Sequence, residues 1–325
     1  VILNVLFLIL GSTGLYFGAE WLVRGAAGLA RLMGIRPLAI GLTIVAYGTS
    51  APELVVSGVS AYQGKSALAL GNVVGSNIAN IGLILGITTI IAPPLIKNGL
   101  MRRELPVLLA ATAAVPLLLW DGVVSRFEGA ILLASAFTFS WVTLRALEPH
   151  GERPSRAPAA VDEQVEAEEG APPERHGRLA LAGLTFAGLA VLSYGGKLFV
   201  DGAVGLALAI GLSERIVGLT IVAMGTSLPE LAASLVAALR GHSEIAVGNV
   251  LGSNIFNICL ILGSASLIHP IEAQLGAVRL DLLTMGVLTV VCTIAMRTAR
   301  KIQRFEGALL VTVYSLFLIV LASTS

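Results

Sequence analysis

The chain has 325 residues, 56% of them apolar and 13% charged, with a formal net charge of +1. The charged share is about half the ~25% usual for soluble domains, and residues 146–178 hold 12 of the 41 Lys, Arg, Asp and Glu residues. The rest cannot coat a soluble surface, and no basic patch interleaved with aromatics offers a nucleic-acid interface.

Ten apolar segments are predicted in chain order: 2–30, 37–62, 67–92, 104–121, 127–145, 178–208, 214–239, 244–268, 280–297 and 304–322. They are apolar all round rather than alternating, so they read as membrane-spanning helices and not barrel strands. The first lacks a small-residue cleavage site behind a basic region and is read as a spanning helix, not a signal peptide. Between the fifth and sixth, residues 146–177 form an acidic linker rich in Pro, Ala and Glu, expected to be solvated and poorly ordered. Cys259 and Cys292 fall in different segments and read as small buried hydrophobes rather than a disulfide or metal pair.

An internal repeat organises the chain. Gly41–Gly86 aligns with Gly218–Gly263 at a constant offset of 177, without gaps, and 31 of 46 positions are identical. The expected domains are therefore a five-helix unit over 1–145 with its core at 41–86, the linker, and a second unit over 178–325 with its core at 218–263. Five is odd, so the second unit enters the membrane from the opposite side, giving an all-α polytopic fold of ten transmembrane helices in two inverted repeats. Fifteen Lys and Arg residues then fall on one side of the membrane and four on the other, which places the N-terminus outside and the linker in the cytoplasm.

The chemistry lies in two motifs, each present twice. Gly48-Thr49-Ser50-Ala51-Pro52-Glu53 and its copy Gly225-Thr226-Ser227-Leu228-Pro229-Glu230 sit in mid-segment. Pro and Gly together break a helix there, freeing carbonyls near Ala46 and Ala223 beside Thr and Ser hydroxyls. An ionised Glu at that depth is unfavourable by roughly 2.5–3.5 kcal/mol. A single Glu could sit there protonated and hydrogen-bonded; a matched pair is better explained by a shared cation. The second motif, Gly71–Asn80 with its copy Gly248–Asn257, puts Asn72, Ser76 and Asn80, and likewise Asn249, Ser253 and Asn257, on one helix face. Its Gly pairs read as close-packing seams. The amides of Asn72, Asn77, Asn249 and Asn254 read equally well as links between helices. Two carboxylates, amide oxygens and freed carbonyls supply six or more hard donors without His or Cys, which suits Ca²⁺. The hydroxyls could complete smaller monovalent sites. No nucleotide-binding loop is present, so an ion gradient is the expected energy source and no cofactor is called for.

Both copies resemble the α-repeats of the cation/calcium exchanger superfamily, most nearly its sodium/calcium exchanger branch. The resemblance implies a diamond of four midplane sites, one favoured by Ca²⁺ and the others used by Na⁺. Its ligands would be Ala46 (carbonyl), Thr49, Ser50, Glu53, Ser76 and Asn80, with Ala223 (carbonyl), Thr226, Ser227, Glu230, Ser253 and Asn257 as their mates. It also implies that the first and sixth helices slide across this core. Glu20/Arg24 and Lys197/Asp201 on those helices read as interface anchors or ion pairs. Where well-studied members often carry Asp, this chain has Asn257, leaving two carboxylates in the site. The expectation is thus not an enzyme but a Ca²⁺ antiporter driven by Na⁺, with Li⁺ as a further candidate, in a prokaryotic inner membrane. Ca²⁺/H⁺ exchange and a passive cation channel are the alternatives. The expected partners are the bilayer and the transported cations, in a chain that can act as a monomer.

Overall fold

The computed structural model describes residues 1–94, 103–146, 177–211, 223–298 and 302–324; nearly all of the linker lies outside them. The elements are α1 (Ile2–Met33), α2 (Pro37–Thr49), α3 (Ala51–Tyr62), α4 (Ser66–Ile91), α5 (Glu104–Leu118), β1 (Val123–Val124), α6 (Arg126–Ala146), α7 (Arg178–Ala209), α8 (Leu228–Leu239), α9 (Ser243–Ile268), β2 (Ile271–Glu272), α10 (Leu275–Thr298) and α11 (Arg304–Thr324). A short helical turn, Ala223–Gly225, precedes α8. Among the described residues seven helices are long and apolar enough to cross a membrane, or eight if α2 and α3 form one bent span. The protein is thus a helical membrane protein, as expected. The two strands pair antiparallel, Val123 with Glu272 and Val124 with Ile271.

Each boundary has a local cause. Gly34 ends α1 in the left-handed conformation, φ 65°, donating its amide to Ala30 and Arg31 carbonyls. Pro37 opens α2 at a position where the missing N–H costs no helical bond. At Ser50 (φ −81°, ψ 6°) the helix breaks, and α3 leaves α2 at 47° with Pro52 in its first turn. One local feature has no signature in the sequence. The backbone widens into π-helical turns at Asn80–Leu85 within α4 and at Asn257–Leu262 within α9, which match at the repeat offset, and a third lies at Gly41–Val45 in α2. Such turns are frequent at functional sites because they re-aim the side chains beside them.

The helices sort into two bodies. In α9, 94% of the most apolar stretch is buried inside the protein, against 17% in α1, so α9 is central and α1 peripheral. α4 and α9 anchor a core that also takes buried side chains from α2, α5, α6, α10 and α11. The other body is α1 laid along α7. In a bilayer this contact gains little from the hydrophobic effect and depends on close packing. Glycine supplies the closeness: a Cβ at Gly18 would stand 2.7 Å from the Leu192 Cα, and one at Gly188 would stand 2.8 Å from the Leu22 Cα. The Gly248 and Gly252 seam behaves as expected, with α2 so near that added Cβ atoms would meet the Leu38 and Leu42 carbonyls at 2.8 and 2.7 Å. The equivalent Gly71 and Gly75 are exposed, and an added Cβ would meet no described residue, so that seam does not form between described elements.

Thr112 in α5 and Thr289 in α10 are repeat mates, and their hydroxyls share a 3.4 Å hydrogen bond. A residue can touch its own mate only where an axis relating the two halves passes between them.

Candidate ion-binding site

The breaks place Glu53 in the first turn of α3 and Glu230 in the first turn of α8. A half-helix that starts inside the protein points unpaired N–H groups and the positive end of its dipole toward a carboxylate in that turn. Pro52 and Pro229 fit there because an N–H at that position would have no helical partner. Both Glu side chains are 1% exposed.

The two halves are tied together crosswise. The Ser50 hydroxyl donates to Glu230 Oε1 at 3.1 Å, and the Ser227 hydroxyl donates to Glu53 Oε1 at 3.3 Å. Each carboxylate therefore has one oxygen held by the opposite repeat. The second oxygens, Glu53 Oε2 and Glu230 Oε2, are buried with no hydrogen-bond partner, as are Asn80 Oδ1, Asn257 Oδ1, Thr226 Oγ1 and Ser253 Oγ. Leaving a buried acceptor unpaired costs about 1–3 kcal/mol, more for a charged group. These six, with Asn77 Oδ1 and Asn254 Oδ1 also unpartnered on the same motifs, include a donor set suited to a hard cation. Among the described residues no group of three or more His, Cys, Asp or Glu gathers, so a soft-metal site has no support here.

The remaining expected ligands fall in the same neighbourhood with differences. Thr49 is fully buried, and its hydroxyl donates to Asn249 Oδ1 at 3.1 Å and to the Ala46 carbonyl at 3.4 Å. Ser76 is buried one turn before Asn80. The Ala46 carbonyl is not free, since it accepts the Ser50 amide at 3.0 Å as well as the Thr49 hydroxyl. In the second repeat the Ser227 amide turns instead to the Met224 carbonyl at 3.2 Å and not to the carbonyl of Ala223.

Of the four amides left open between roles, two link helices. Asn72 donates to the Glu53 carbonyl at 3.2 Å and to the Ser57 hydroxyl at 2.8 Å. Asn249 repeats this with Glu230 at 3.4 Å and Ser234 at 2.9 Å. Asn254 donates within its own helix to Val250, and the Asn77 side chain has no hydrogen-bond partner. Ser57 and Ser234, both fully buried, hold Asn72 and Asn249 and were not singled out from the sequence. Their signal was available: each lies four residues after its Glu and is identical in both copies. Cys259 and Cys292 are free and buried, as expected.

α7 lies against both breaks. A Cβ on Gly48 would meet a Leu189 methyl at 2.5 Å, and one on Gly225 would run into Val200. The same helix thus touches both halves of the site through glycines that lack side chains.

Comparison with known proteins gives a consistent set of matches. The family model described as sodium/calcium exchanger protein matches residues 3–145 and 180–322. Inner membrane protein YrbG of Escherichia coli is 36% identical over 292 residues, covering 90% of this chain and 88% of that one. Sodium/calcium exchanger MaX1 of Methanosarcina acetivorans is 32% identical over 352 residues and 99% of each chain. The structure of the sodium-calcium exchanger NCX_Mj soaked with zero Na⁺ and Ca²⁺ superposes with a TM-score of 0.83 at 31% identity, over 100% of both chains.

Proposed function

We propose, from the premise that this chain belongs to the sodium/calcium exchanger protein family, that it moves Ca²⁺ against Na⁺ through one site formed where its two repeats meet. Family membership supports a membrane antiporter of Na⁺ and Ca²⁺, not an enzyme and without a cofactor. The observation that carries the site assignment is that Glu53, Glu230, Asn80, Asn257, Thr226 and Ser253 each present an unpartnered buried oxygen, two of them on carboxylates. In this reading Glu53, Glu230, Asn80 and Asn257 bind Ca²⁺. Thr49, Ser50, Ser76, Thr226, Ser227, Ser253 and the carbonyls of Ala46 and Ala223 complete sites for Na⁺. All donors come from one chain, so a monomer suffices.

The architecture in this reading is ten helices in two inverted five-helix units, 1–145 and 178–325, joined by a cytoplasmic linker, with the N-terminus outside. The Lys and Arg distribution supports that orientation, and a cysteine replacing Asp121 is then labelled from outside intact cells. Labelling only after permeabilisation would reverse the orientation.

An asymmetry between equivalent faces supports alternating access. On α3, Val55 is 64% and Val59 50% exposed, whereas Val236 of α8, the mate of Val59, is 8% exposed beneath α1. One end of the site is therefore covered by the α1–α7 pair and its equivalent is not. With the N-terminus outside, this is the outward-facing state, and sliding α1 and α7 to cover α3 gives the other. The test is radiolabelled Ca²⁺ uptake into proteoliposomes under imposed Na⁺, Li⁺, K⁺ or H⁺ gradients. Saturable uptake that requires internal Na⁺ is expected. Uptake driven by H⁺ alone would transfer the coupling to protons, and non-saturating flux without a counter-ion would mean a channel.

A further inference from the structure

We propose that two ion pairs act as alternating latches on the sliding helices: Glu20–Arg240 holds the inner end shut in the state described, and Asp201–Lys65 holds the outer end shut in the opposite state. The inference rests on the inverted-repeat and alternating-access reading above. It concerns residues outside the ion site.

The first latch is visible. Arg240, in the turn between α8 and α9, donates from Nε to Glu20 Oε2 of α1 at 2.9 Å. One turn earlier on each helix, Tyr16 and Val236 line the same crevice. α1 thus runs beside α8 with Tyr16 level with Val236 and Glu20 level with Arg240.

Exchanging the repeats gives the region of the second latch, and the charges near it give the pair. When inverted halves trade conformations, a contact between residue i of the first half and residue j of the second becomes one between i+177 and j−177. Val236 under α1 becomes Val59 under α7, which would cover a side chain now half exposed. Glu20 and Arg240 become Lys197 and Gln63, which are not an ion pair. An acid and a base lie just beyond those positions: Asp201, one turn after Lys197, stands where the first repeat has Arg24, and Lys65, two residues after Gln63, stands where the second repeat has His242. The charges on the sliding helices are reversed between repeats, Glu then Arg on α1 and Lys then Asp on α7. The basic residue of the opposing turn shifts in the same sense, from position 240 to position 65. Each end therefore receives one acid from the sliding pair and one base from the turn after a broken helix. In the structure Lys65 and Asp201 are both exposed and form no ion pair among the described residues.

Exposed ion pairs are weak, so these latches tune the balance between states by roughly two- to five-fold and do not lock it. The experiment uses the full chain in nanodiscs with spin labels on cysteines replacing Tyr62 and Ile210, at the outer ends of α3 and α7. The buried native cysteines stay in place. Pulsed dipolar spectroscopy then reads the fraction with the outer end closed. Lys65→Gln and Asp201→Asn are each expected to lower that fraction two- to five-fold, and the two combined to lower it no further. Lys65→Asp with Asp201→Lys is expected to restore it, and Arg240→Gln to raise it. Fractions unmoved by Lys65→Gln and Asp201→Asn, effects of the two that simply add, or no rise with Arg240→Gln would each overturn the proposal. The readout needs no flux: absent Na⁺-driven Ca²⁺ exchange with latch-sensitive distances refutes the transport reading alone, whereas flux with insensitive distances refutes the latches.

Discussion

Asn257→Asp tests how charge is counted in the site. Among the described residues the fully buried carboxylates are Glu53, Glu230 and Glu104, and Glu104 stands apart at the start of α5, 3.9 Å from Arg103. The site itself therefore carries −2 when Glu53 and Glu230 are ionised, because Asn80 and Asn257 are neutral. One Ca²⁺ brings it to zero, and so do two Na⁺. A third Na⁺ leaves +1 near the bilayer centre, unfavourable by roughly 2.5–3.5 kcal/mol, or about 70- to 400-fold in occupancy. The unaltered protein is therefore expected to exchange close to two Na⁺ per Ca²⁺ and to move little net charge. A carboxylate at position 257 offsets the third ion and makes the cycle electrogenic. One charge moved through 100 mV is worth ~2.3 kcal/mol, so the balancing Ca²⁺ ratio should shift tenfold per ~60 mV in the variant. The assay fixes the Na⁺ and Ca²⁺ gradients across proteoliposomes and sets voltage with K⁺ and valinomycin. If the unaltered protein's reversal point already moves by a full charge per Ca²⁺, the two-carboxylate argument is refuted.

Other outcomes follow from the same geometry. Glu53→Gln and Glu230→Gln should each abolish Ca²⁺ exchange while leaving a folded, inserted protein by size-exclusion and circular dichroism; near-normal exchange in either would remove that residue from the site. Asn249→Ala strips partners from the Thr49 hydroxyl, the Ser234 hydroxyl and the Glu230 carbonyl, and should weaken Ca²⁺ binding about tenfold, read by calorimetry; unchanged affinity would make Asn249 a bystander. Gly18→Leu sets a side chain against the α7 backbone and should lower thermal stability and transport together, and a fully active, equally stable variant would show that the α1–α7 contact is looser than described.

Much of this was legible in the sequence because the repeat made it so. Thr, Ser, Pro and Glu recurring at one offset in apolar surroundings pointed to broken helices and oxygen ligands, and Glu53, Asn80, Glu230 and Asn257 do present unpartnered buried oxygens. The π-helical turns were not legible: Asn80–Leu85 is as apolar after its first residue as an ordinary turn, and no side chain announces the extra backbone loop. Nor could the sequence say that Gly252 packs tightly while Gly75 is exposed. The two copies are nearly identical there, so residue identity alone does not separate them. The carbonyl of Ala46 was expected to be free because Pro52 removes a donor, yet the donor removed lies beyond the break, and the Ser50 amide still reaches it.

The crossed Ser–Glu bonds also constrain how the protein is made. Glu53 enters the membrane with the first half of the chain, but the hydroxyl that engages its carboxylate, on Ser227, is synthesised 174 residues later. Until α8 arrives, the first half holds a buried carboxylate without its counterpart, an unfavourable state in lipid. Biogenesis therefore has a natural order: the early helices insert loosely, and the last-made half completes and tightens them. Two halves expressed as separate polypeptides should be degraded singly and rescued together, since each supplies the group that the other's carboxylate lacks.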